Sequence, residues 1–331
     1  MKLIIPLAGK GTRLRPHTLT KPKPLLKVAG KTILEYLLKS VEDVKFSEVI
    51  FITNNQKDRI EEFIKSRYSF KATYVEQKVA DGSGGALMLV KDLVDEDVLI
   101  LFSDTIADAD LSIIKKVQKD KNVDGIIWVK EVEDYQRFGV VVRDNNNFMT
   151  KIVEKPKEPI SKLANIGLYY FKNHKMLFEG LEYIHTNNII IDGEYYLVDA
   201  IQYMIQHGSK IITAPVRLWN DCGKVETLLE TNQSLMKRAH SINSKTKDTL
   251  IIPPVFIDKN VVVENSIIGP YVSVASGTEI KGCILQNSII DVNSRLENIK
   301  LKDSVIGESA VLKSHFKRLN VGDYSELHFY S

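Results

Sequence analysis

The spacing of hydrophobic residues changes near residue 250, and the change predicts two kinds of structure. Before this point, short apolar runs alternate with segments in which apolar residues recur every three or four positions. The short runs predict buried strands, and the three-to-four spacing predicts helices with one buried face. Strands that alternate with helices predict an α/β fold, Rossmann-like, with a mostly parallel sheet and helices on both faces.

The elements of this first part follow from the same pattern. Strands are predicted at residues 3–7, 48–53, 72–77, 97–102, 126–132, 164–171 and 210–215. Helices are predicted at residues 32–45, 57–66, 83–93, 196–206 and 225–236. Residues 138–142 and 148–153 are predicted to form a hairpin-like insertion. Because ligands of such sheets bind beyond the carboxyl ends of the strands, the loops that follow the strands are the candidate site.

The second part has a short apolar period. Apolar residues recur every six positions and then shift phase, at Phe256, Val262, Ile268, Val274 and Ile280, then Ile284, Ile290 and Leu296, and later Val305 and Val311. Such a period predicts stacked β coils, each burying its apolar side on the next. It resembles a hexapeptide-repeat left-handed β-helix; the alternative is an ordinary run of short antiparallel strands.

These patterns predict four segments. A catalytic domain would occupy residues 1–236, and the β-helix residues 251–313. Residues 237–250 are rich in Ser, Asn, Lys and Thr, which is typical of a linker. Residues 314–331 break the period and are predicted to be a cap or tail.

Composition excludes several classes of protein. The chain has 331 residues, 44% hydrophobic and 26% charged, and its net charge of +3 does not indicate a nucleic acid or an anionic membrane as partner. Its two cysteines form neither a disulfide framework nor a zinc set, which favours a reducing cytoplasm. No apolar run is long enough to span a membrane, and the run at residues 3–8 is too short for a signal peptide.

The candidate chemistry begins in the loop after the first strand. Glycines at positions 9 and 11 let backbone N–H groups approach an anion, and cations follow at Lys10, Arg13, Arg15, Lys21 and Lys23. The dinucleotide motif is excluded because Leu14 replaces its third glycine, and the P-loop is excluded because Leu25 replaces its first. The loop therefore predicts a phosphate site of another kind, or else a basic surface turn.

Several motifs in order carry a resemblance to a family. Gly9-x-Gly11-Thr12-Arg13-Leu14-x-Pro16, with Lys23 downstream, resembles the opening motif of the sugar-1-phosphate nucleotidyltransferases. Asp104, Glu154-Lys155-Pro156 and Trp219-x-Asp221-x-Gly223 match later motifs of that family, so the resemblance covers about residues 1–235. Ser103 departs from it, because the family more often has glycine there.

The resemblance implies a role for each matched residue. Arg13 and Lys23 would be catalytic, and Asp104 and Asp221 would bind Mg²⁺. The nucleotide would contact Leu7, Ala8, Gly9, Gly11, Thr12, Arg13, Gln77, Asp81 and Gly82, with Gln77 as the residue that reads the base. The sugar phosphate would contact Gly139, Glu154, Lys155, Asn165, Gly167 and Glu194. Without the resemblance, the aspartates are typical turn or N-cap residues, and residues 76–82 a polar loop.

The implied reaction transfers a nucleotidyl group to a hexose-1-phosphate and releases pyrophosphate. The spacing of Gln77 from Asp81-Gly82 is similar to that of the thymidylyltransferases, whose long form carries a β-helix, so dTTP and glucose-1-phosphate are favoured. Alternatives are GDP-mannose or UDP-sugar synthesis, a non-catalytic regulatory subunit that binds nucleotide sugars, and an acyltransferase site in the β-helix, for which only His315 and His328 supply a base. We expect small-molecule substrates, no nucleic-acid or membrane partner, a homo-oligomer and a cytoplasmic location.

Overall fold

The computed structural model describes residues 1–314 and separates two compact units, residues 1–234 and the residues from 235 onward. The strands of the first unit are β1 (Lys2–Pro6), β2 (Lys27–Val28), β3 (Lys31–Thr32), β4 (Glu48–Thr53), β5 (Ala72–Glu76), β6 (Val98–Leu101), β7 (Thr105–Ala109), β8 (Gly125–Glu131), β9 (Gly139–Arg143), β10 (Met149–Glu154), β11 (Leu163–Phe171) and β12 (Ile211–Asp221). The helices are α1 (Ile33–Ser40), α2 (Lys57–Lys65), α3 (Gly82–Met88), α4 (Ile113–Lys119), α5 (His174–Thr186), α6 (Leu197–Gln206) and α7 (Val225–Ala239).

One mixed sheet organises the first unit. Its order is β5-β4-β1-β6-β11-β8-β12-β7, with β9 joined to β10 and β11. The strands from β5 to β6 are parallel, whereas β11 lies antiparallel between β6 and β8, and β7 is antiparallel to β12. The α/β class is confirmed, the parallel arrangement holds around the loop after β1, and the predicted hairpin is the antiparallel pair β9 and β10.

Both faces of the sheet are buried. Ile4 and Ile100 belong to one apolar cluster with residues of α3, α5 and α6. Their neighbours Leu3 and Leu99 point to the opposite face and are also inaccessible to solvent. This burial keeps the strands and their carboxyl ends in fixed positions, so the loops that follow them are held on a rigid base.

Several helices differ from their predicted bounds. Helix α1 begins where Thr32 and Glu35 form a capping box, and it ends at Ser40 rather than at residue 45. Strand β7 and helices α4 and α5 were not predicted, and the apolar residues of α5 belong to the same core as those of α6. Among the described residues, no helix has both the length and the apolarity needed to cross a bilayer.

The second unit is a stack of short parallel strands. These are β13 (Ser241–Ile242), β14 (Thr246–Lys247), β15 (Leu250–Ile251), β16 (Val255–Ile257), β17 (Val262–Glu264), β18 (Ile267–Ile268), β19 (Val272–Val274), β20 (Glu279–Lys281), β21 (Ile284–Gln286), β22 (Ile289–Ile290), β23 (Arg295–Glu297), β24 (Lys300–Lys302), β25 (Val305–Ile306) and β26 (Val311–Lys313). Every third strand pairs in parallel, which gives three sheets. This arrangement is consistent with the predicted left-handed β-helix and excludes antiparallel hairpins for these strands.

The predicted linker at residues 237–250 is wrong. Helix α7 continues to Ala239, and then β13 and β14 pair with β16 and β17, so residues 241–251 form the first coil. The polar residues that suggested a linker bond to the next coil: the Ser244 hydroxyl accepts from the Val261 N–H at 3.0 Å and donates to the Asp258 carbonyl at 2.7 Å. The predicted tail at residues 314–331 lies outside the described residues, apart from Ser314.

The predicted six-residue spacing is also wrong in detail. Val272 pairs with Val255, a repeat of 17 residues, and Val305 pairs with Ile289, a repeat of 16. A coil of three six-residue steps would need 18, so a fixed period loses the inward positions. Val262, Ile284 and Val311 are consequently 42%, 40% and 65% exposed, and the residues that follow them point inward.

Candidate active site

The turn after β1 is shaped to leave space on its inner side. Gly11 adopts a left-handed conformation (φ 57°), and its carbonyl accepts from the Leu14 N–H at 3.0 Å and the Thr18 hydroxyl at 2.8 Å. Leu14 is buried and anchors the turn. A Cβ atom at Gly9 would find nothing within 4 Å, so the backbone there faces open space. A ligand can therefore approach the backbone closely at this position.

A cavity of about 480 Å³ follows this turn, and we call it the loop cavity. The predicted nucleotide residues that line it are Leu7, Ala8, Gly9, Gly11, Thr12, Arg13, Gln77 and Gly82, together with Lys23. The other polar lining includes Lys10, Ser83, Ser103, Asp104 and Glu194. The structure thus brings together the predicted cations and the predicted base-reading residue, which are about 60 residues apart in the sequence.

Asp81 is the predicted nucleotide residue that does not line the loop cavity. Its Oδ1 atom accepts from Gln77 Nε2 at 2.8 Å, and the Gly82 carbonyl accepts from the same nitrogen at 3.2 Å. The carboxylate packs where a side chain at Gly85 would be, since a Cβ atom there would lie 2.1 Å from Oδ1. Asp81 therefore contacts Gln77 instead of facing the cavity.

A second cavity, of about 520 Å³, lies among the ends of several strands, and we call it the strand cavity. The predicted sugar-phosphate residues that line it are Gly139, Glu154, Lys155, Asn165 and Gly167. Glu194 differs from the prediction, because it lines the loop cavity. Both cavities are lined by Arg13, Ser83, Phe102 and Asp104, so these four residues form the boundary between them.

Asn165 holds the floor of the strand cavity. Its Nδ2 atom donates to the Gly139 carbonyl at 2.9 Å, and its Oδ1 accepts from the Gly167 N–H at 3.3 Å and from the Tyr169 hydroxyl. A Cβ atom at Gly139 would lie 2.3 Å from that nitrogen and 2.8 Å from Glu154 Oε2. Asn165 and Gly139 thus shape the cavity through bonds within the protein.

Glu154 is the buried acid of the strand cavity. Burial raises its pKa to about 7, and the negative charges of Asp199, Asp104 and Glu194 act in the same direction, while Lys155 opposes them. A carboxyl group with such a pKa changes its charge easily near neutrality. It can therefore accept a hydrogen bond when ionised and donate one when protonated.

Lys155 is held in a strained backbone conformation beside Glu154. Its φ is 43°, a region that residues with a Cβ atom rarely adopt, and its Nζ donates to the Tyr196 hydroxyl at 3.1 Å. This hydrogen bond is the main cause of the raised pKa of Lys155, so the ammonium group stays charged. Strain of this kind often accompanies functional positions.

Asp104 and Asp221 meet because β12 changes partner. The strand pairs with β8 up to Pro215 and with β7 from Val216, where proline needs no ladder hydrogen bond. Asp221 lies opposite Thr105, and the Cys222 N–H donates to the Asp104 carbonyl at 2.8 Å. The predicted strand stopped at Pro215, so this pairing could not be foreseen from the strand pattern.

Two arginines border Asp221. A Cβ atom at Gly223 would lie 3.1 Å from an Arg13 guanidinium nitrogen and 2.9 Å from Asp221 Oδ1, so the three groups are close. Arg137 lies 3.9 Å from Asp221 Oδ2 and bonds Asp134 at 2.7 Å. Its guanidinium carbon is 5.3 Å from the centre of the Phe138 ring. Positive charge therefore surrounds this carboxylate.

The two cavities are joined by backbone bonds around Tyr195. Its N–H donates to the Asp81 carbonyl at 2.8 Å, and its own carbonyl accepts from the Gly84 N–H at 2.8 Å. Ser83 Oγ accepts from the Leu197 N–H at 2.9 Å and so caps the start of α6. A side chain at Gly82 would strike the Tyr195 carbonyl at 2.4 Å, so glycine is needed there.

Some residues of the site were not predicted from the sequence. These are Ser83, Phe102, Arg137, Tyr196 and Trp219. Arg137 and Trp219 lie within two residues of predicted ones, which is the signal that could have found them. Ser83 carried a weaker signal, the glycine-rich turn around it, and Phe102 and Tyr196 look like ordinary core residues in the sequence.

The fold and the site define a class: an α/β protein in which a glycine turn with cations adjoins a second polar cavity, with two carboxylates near the boundary. The chain belongs to the nucleotidyl transferase family, because the description of that family matches residues 2–238.

Individual proteins extend the comparison. The bifunctional protein GlmU of Methanocaldococcus jannaschii is 35% identical over 76% of this chain and 59% of its own length, so this chain spans about three fifths of that relative. UTP–glucose-1-phosphate uridylyltransferase AglF of Haloferax volcanii is 32% identical over 72% of this chain and 97% of its own. The glucose-1-phosphate thymidylyltransferase of Streptomyces antibioticus is 24% identical over both full lengths. A solved UDP-glucose pyrophosphorylase shares the fold, with a TM-score of 0.63, 24% identity and coverage of 72% of this chain and 98% of that one.

Proposed function

We propose that the protein transfers a nucleotidyl group from a nucleoside triphosphate to a hexose-1-phosphate, with dTTP and glucose-1-phosphate favoured, and releases pyrophosphate. One observation carries this proposal: two cavities of similar size meet at Arg13 and Asp104. A transfer between two phosphorylated substrates needs two adjoining sites and positive charge between them. Curated relatives are named as uridylyl and thymidylyl transferases for glucose-1-phosphate, which supports the same chemistry here.

The cations of the loop cavity address the main obstacle to the reaction. Two phosphate groups about 4 Å apart repel each other by several kcal/mol at an intermediate effective dielectric constant. In the proposed complex, Arg13 binds the triphosphate and Lys23 the region of the α-phosphate. They stabilise charge on the transferring group, as expected for phosphoryl chemistry that depends on positioning. The sugar phosphate supplies the attacking oxygen, so no side chain needs to be the nucleophile.

Asp104 and Asp221 fit a magnesium site as far as their chemistry goes. Both supply hard oxygen ligands, and they lie on neighbouring positions of the paired β7 and β12 region. The described residues contain no cluster of three or more acidic, histidine or cysteine ligands, so substrate phosphates and water would supply the other positions. When bound, Mg²⁺ would neutralise phosphate charge during transfer. The two aspartates would hold it, and Arg137 would give up its long contact to Asp221.

The strand cavity supplies the sugar-phosphate side in this proposal. Lys155 pairs with the phosphate, because its ammonium group lies in the cavity and stays charged. Glu154 binds a sugar hydroxyl, and Glu194 contacts the substrate from the loop side. Asn165 and Gly139 keep the cavity open rather than bind the ligand, since the Asn165 amide is already engaged.

Other functions make different demands on the same residues. UTP in place of dTTP requires no change in the site, and GDP-mannose synthesis requires room for a purine. A regulatory subunit that only binds nucleotide sugars would have no need for Arg13, Lys23 and both aspartates at one boundary. The acyltransferase alternative rests on His315 and His328, which lie outside the described residues. We retain the homo-oligomer and the cytoplasmic location as proposals.

The test is a panel of dTTP, UTP, GTP, CTP and ATP against several hexose-1-phosphates, with pyrophosphate release as the measurement. We expect release with a pyrimidine triphosphate and glucose-1-phosphate, and dependence on Mg²⁺. No release with any pair would contradict catalysis, and tight binding of a nucleotide sugar without turnover would favour the regulatory subunit. Release only with GTP and mannose-1-phosphate would replace the favoured substrates by the alternative pair.

A further inference from the structure

The orientation of the Gln77 amide is fixed by its neighbours. Its Nε2 atom lies 2.8 Å from Asp81 Oδ1 and 3.2 Å from the Gly82 carbonyl. A carboxylate oxygen and a carbonyl oxygen can only accept hydrogen bonds, so the atom that faces them must be the donating nitrogen. The opposite orientation would place three acceptors against one another. The Gln77 amide therefore has one stable direction.

Asp81 is itself held in place. The backbone of Asp81 is fixed by the hydrogen bond from the Tyr195 N–H to its carbonyl. Its carboxylate occupies the space that a side chain at Gly85 would need, with all three carboxylate atoms within 2.5 Å of the position of that Cβ atom. The absence of a side chain at Gly85 thus allows Asp81 to reach Gln77.

This arrangement leaves the Gln77 oxygen as the group that can meet a ligand. Gln77 lines the loop cavity, and within residues 1–314 no group donates a hydrogen bond to its Oε1. We infer that Asp81 is a positioning residue that makes Gln77 a fixed acceptor, so that the site selects a base with an N–H on its pairing edge. This inference rests on the proposed function and gives Asp81 a role other than contact with the nucleotide.

Uracil and cytosine are the sharpest pair for this selection. They have the same size, but uracil carries a hydrogen at N3, whereas cytosine has a lone pair there. A fixed acceptor bonds the first and repels the second. If the amide were free to rotate, it could present its NH₂ group to cytosine, so selection would weaken. Sites built to bond one polar group discriminate strongly against a base that lacks it.

The experiment compares UTP with CTP, both as dissociation constants from calorimetry and as kcat/KM with glucose-1-phosphate. In Asp81→Ala we expect the ratio of the UTP to the CTP value to fall by about tenfold or more. Asp81→Asn should retain most of the ratio, because its side-chain oxygen can still accept from Gln77. Gly85→Ala should lower the ratio as Asp81→Ala does, since the added methyl group displaces the carboxylate.

Asp92→Ala is the matched control, because it removes an exposed carboxylate close in sequence to the same helix. Its ratio should equal that of the wild type. An unchanged ratio in both Asp81→Ala and Gly85→Ala would overturn the inference, and so would an equal loss in Asp81→Asn and Asp81→Ala. If Asp81→Ala does not fold, the ratio in Gly85→Ala decides.

Failure of the proposed function gives a different result. In that case the wild type releases no pyrophosphate, while the calorimetric ratio still tests Asp81. A wild type that turns over but binds CTP as well as UTP would refute the inference alone.

Discussion

The β coils and the candidate active site treat polar groups in opposite ways. On one sheet of the coil, Lys247, Glu264, Lys281, Glu297 and Lys313 are successive partners, so the charge alternates from coil to coil. At the site, Glu154 is buried among other acids, and Asp199 Oδ2 and Trp219 Nε1 are buried without a hydrogen-bond partner. The coil satisfies its charges within the chain, whereas the site leaves part of its polar groups unsatisfied.

This difference teaches where stability and ligand binding reside. A buried polar group without a partner costs free energy, so such groups persist where a ligand can supply the missing interaction. In the coil, each residue is defined by its position in a repeat, and substitutions there should change stability but not catalysis. Substitutions at the site should change catalysis and leave stability unchanged or higher.

The largest expected effect is on catalysis. Asp221→Asn should lower the rate of pyrophosphate release by at least about a hundredfold, because an amide is a poor ligand for Mg²⁺ and loses the charge. Asp303→Asn is the control in the coil, where Asp303 accepts from Asn287 at 2.6 Å and asparagine can also accept. A near-normal rate in Asp221→Asn would remove this residue from the site, and a slow Asp303→Asn would break the comparison.

The next effect is on the pH dependence of stability. The folded protein raises the pKa of Glu154 from 4.5 to about 7, so the folded state holds a proton that the unfolded state releases. The stabilisation is complete below the unfolded pKa and is lost as the pH rises through the folded pKa. Relative to Glu154→Gln, the wild type should lose about 3 kcal/mol of unfolding free energy between about pH 4 and about pH 8.

Tryptophan fluorescence is the measurement for this prediction, because both tryptophans, Trp128 and Trp219, lie in the first unit. Asp303→Asn provides the reference for the coil, and its stability should follow the wild type at every pH. A constant difference between Glu154→Gln and the wild type would show that Glu154 titrates normally.

Two adjacent valines test the phase of the coil. Val263 is 1% exposed and Val262 is 42% exposed, although the six-residue period places Val262 inside. Val263→Ala should lower the stability of the coil by about 2 kcal/mol, because it leaves a cavity. Val262→Ala should change it by less than about 0.5 kcal/mol. Hydrogen exchange at β16 to β23 measures both, and equal losses would contradict the structure.

The smallest expected effect concerns the charge alternation. Glu297→Lys would place three lysines in succession between Lys281 and Lys313. Because exposed pairs contribute little, the loss should be about 1 kcal/mol or less at low salt, and it should shrink as salt screens the charges. Catalysis should not change. A loss that is independent of salt would mean that Glu297 acts through packing.

The sequence predicts the sheet better than it predicts the coil. Strand β4 begins and ends where its apolar run does, because a strand buried on both faces is recorded in every residue. The coil was predicted in kind but not in phase, since its length is set by the corners. Left-handed residues recur there at Asn260, Gly277, Asn293 and Ser309, and this spacing of 16 or 17 residues is the signal that the apolar period obscured.

The site was predicted through resemblance rather than through pattern. Asp104 and Asp221 come together only because β12 passes from β8 to β7 at Pro215, and proline is usually interpreted as the end of a strand. The orientation of Asp81 toward Gln77 depends on the missing side chain at Gly85. The position of Glu194 at the loop cavity depends on a turn that bonds to another loop. These are tertiary contacts, and no local pattern encodes them.

The bonds around Tyr195 limit how this protein can be altered. Residues 81–84 and 195–197 share three hydrogen bonds, two of them between backbone groups. A segment transplanted from another enzyme to change the preferred base would bring its own backbone path and would lose these partners. Exchange of the two segments together preserves them, so the pair, rather than either loop, is the transferable unit for redesign.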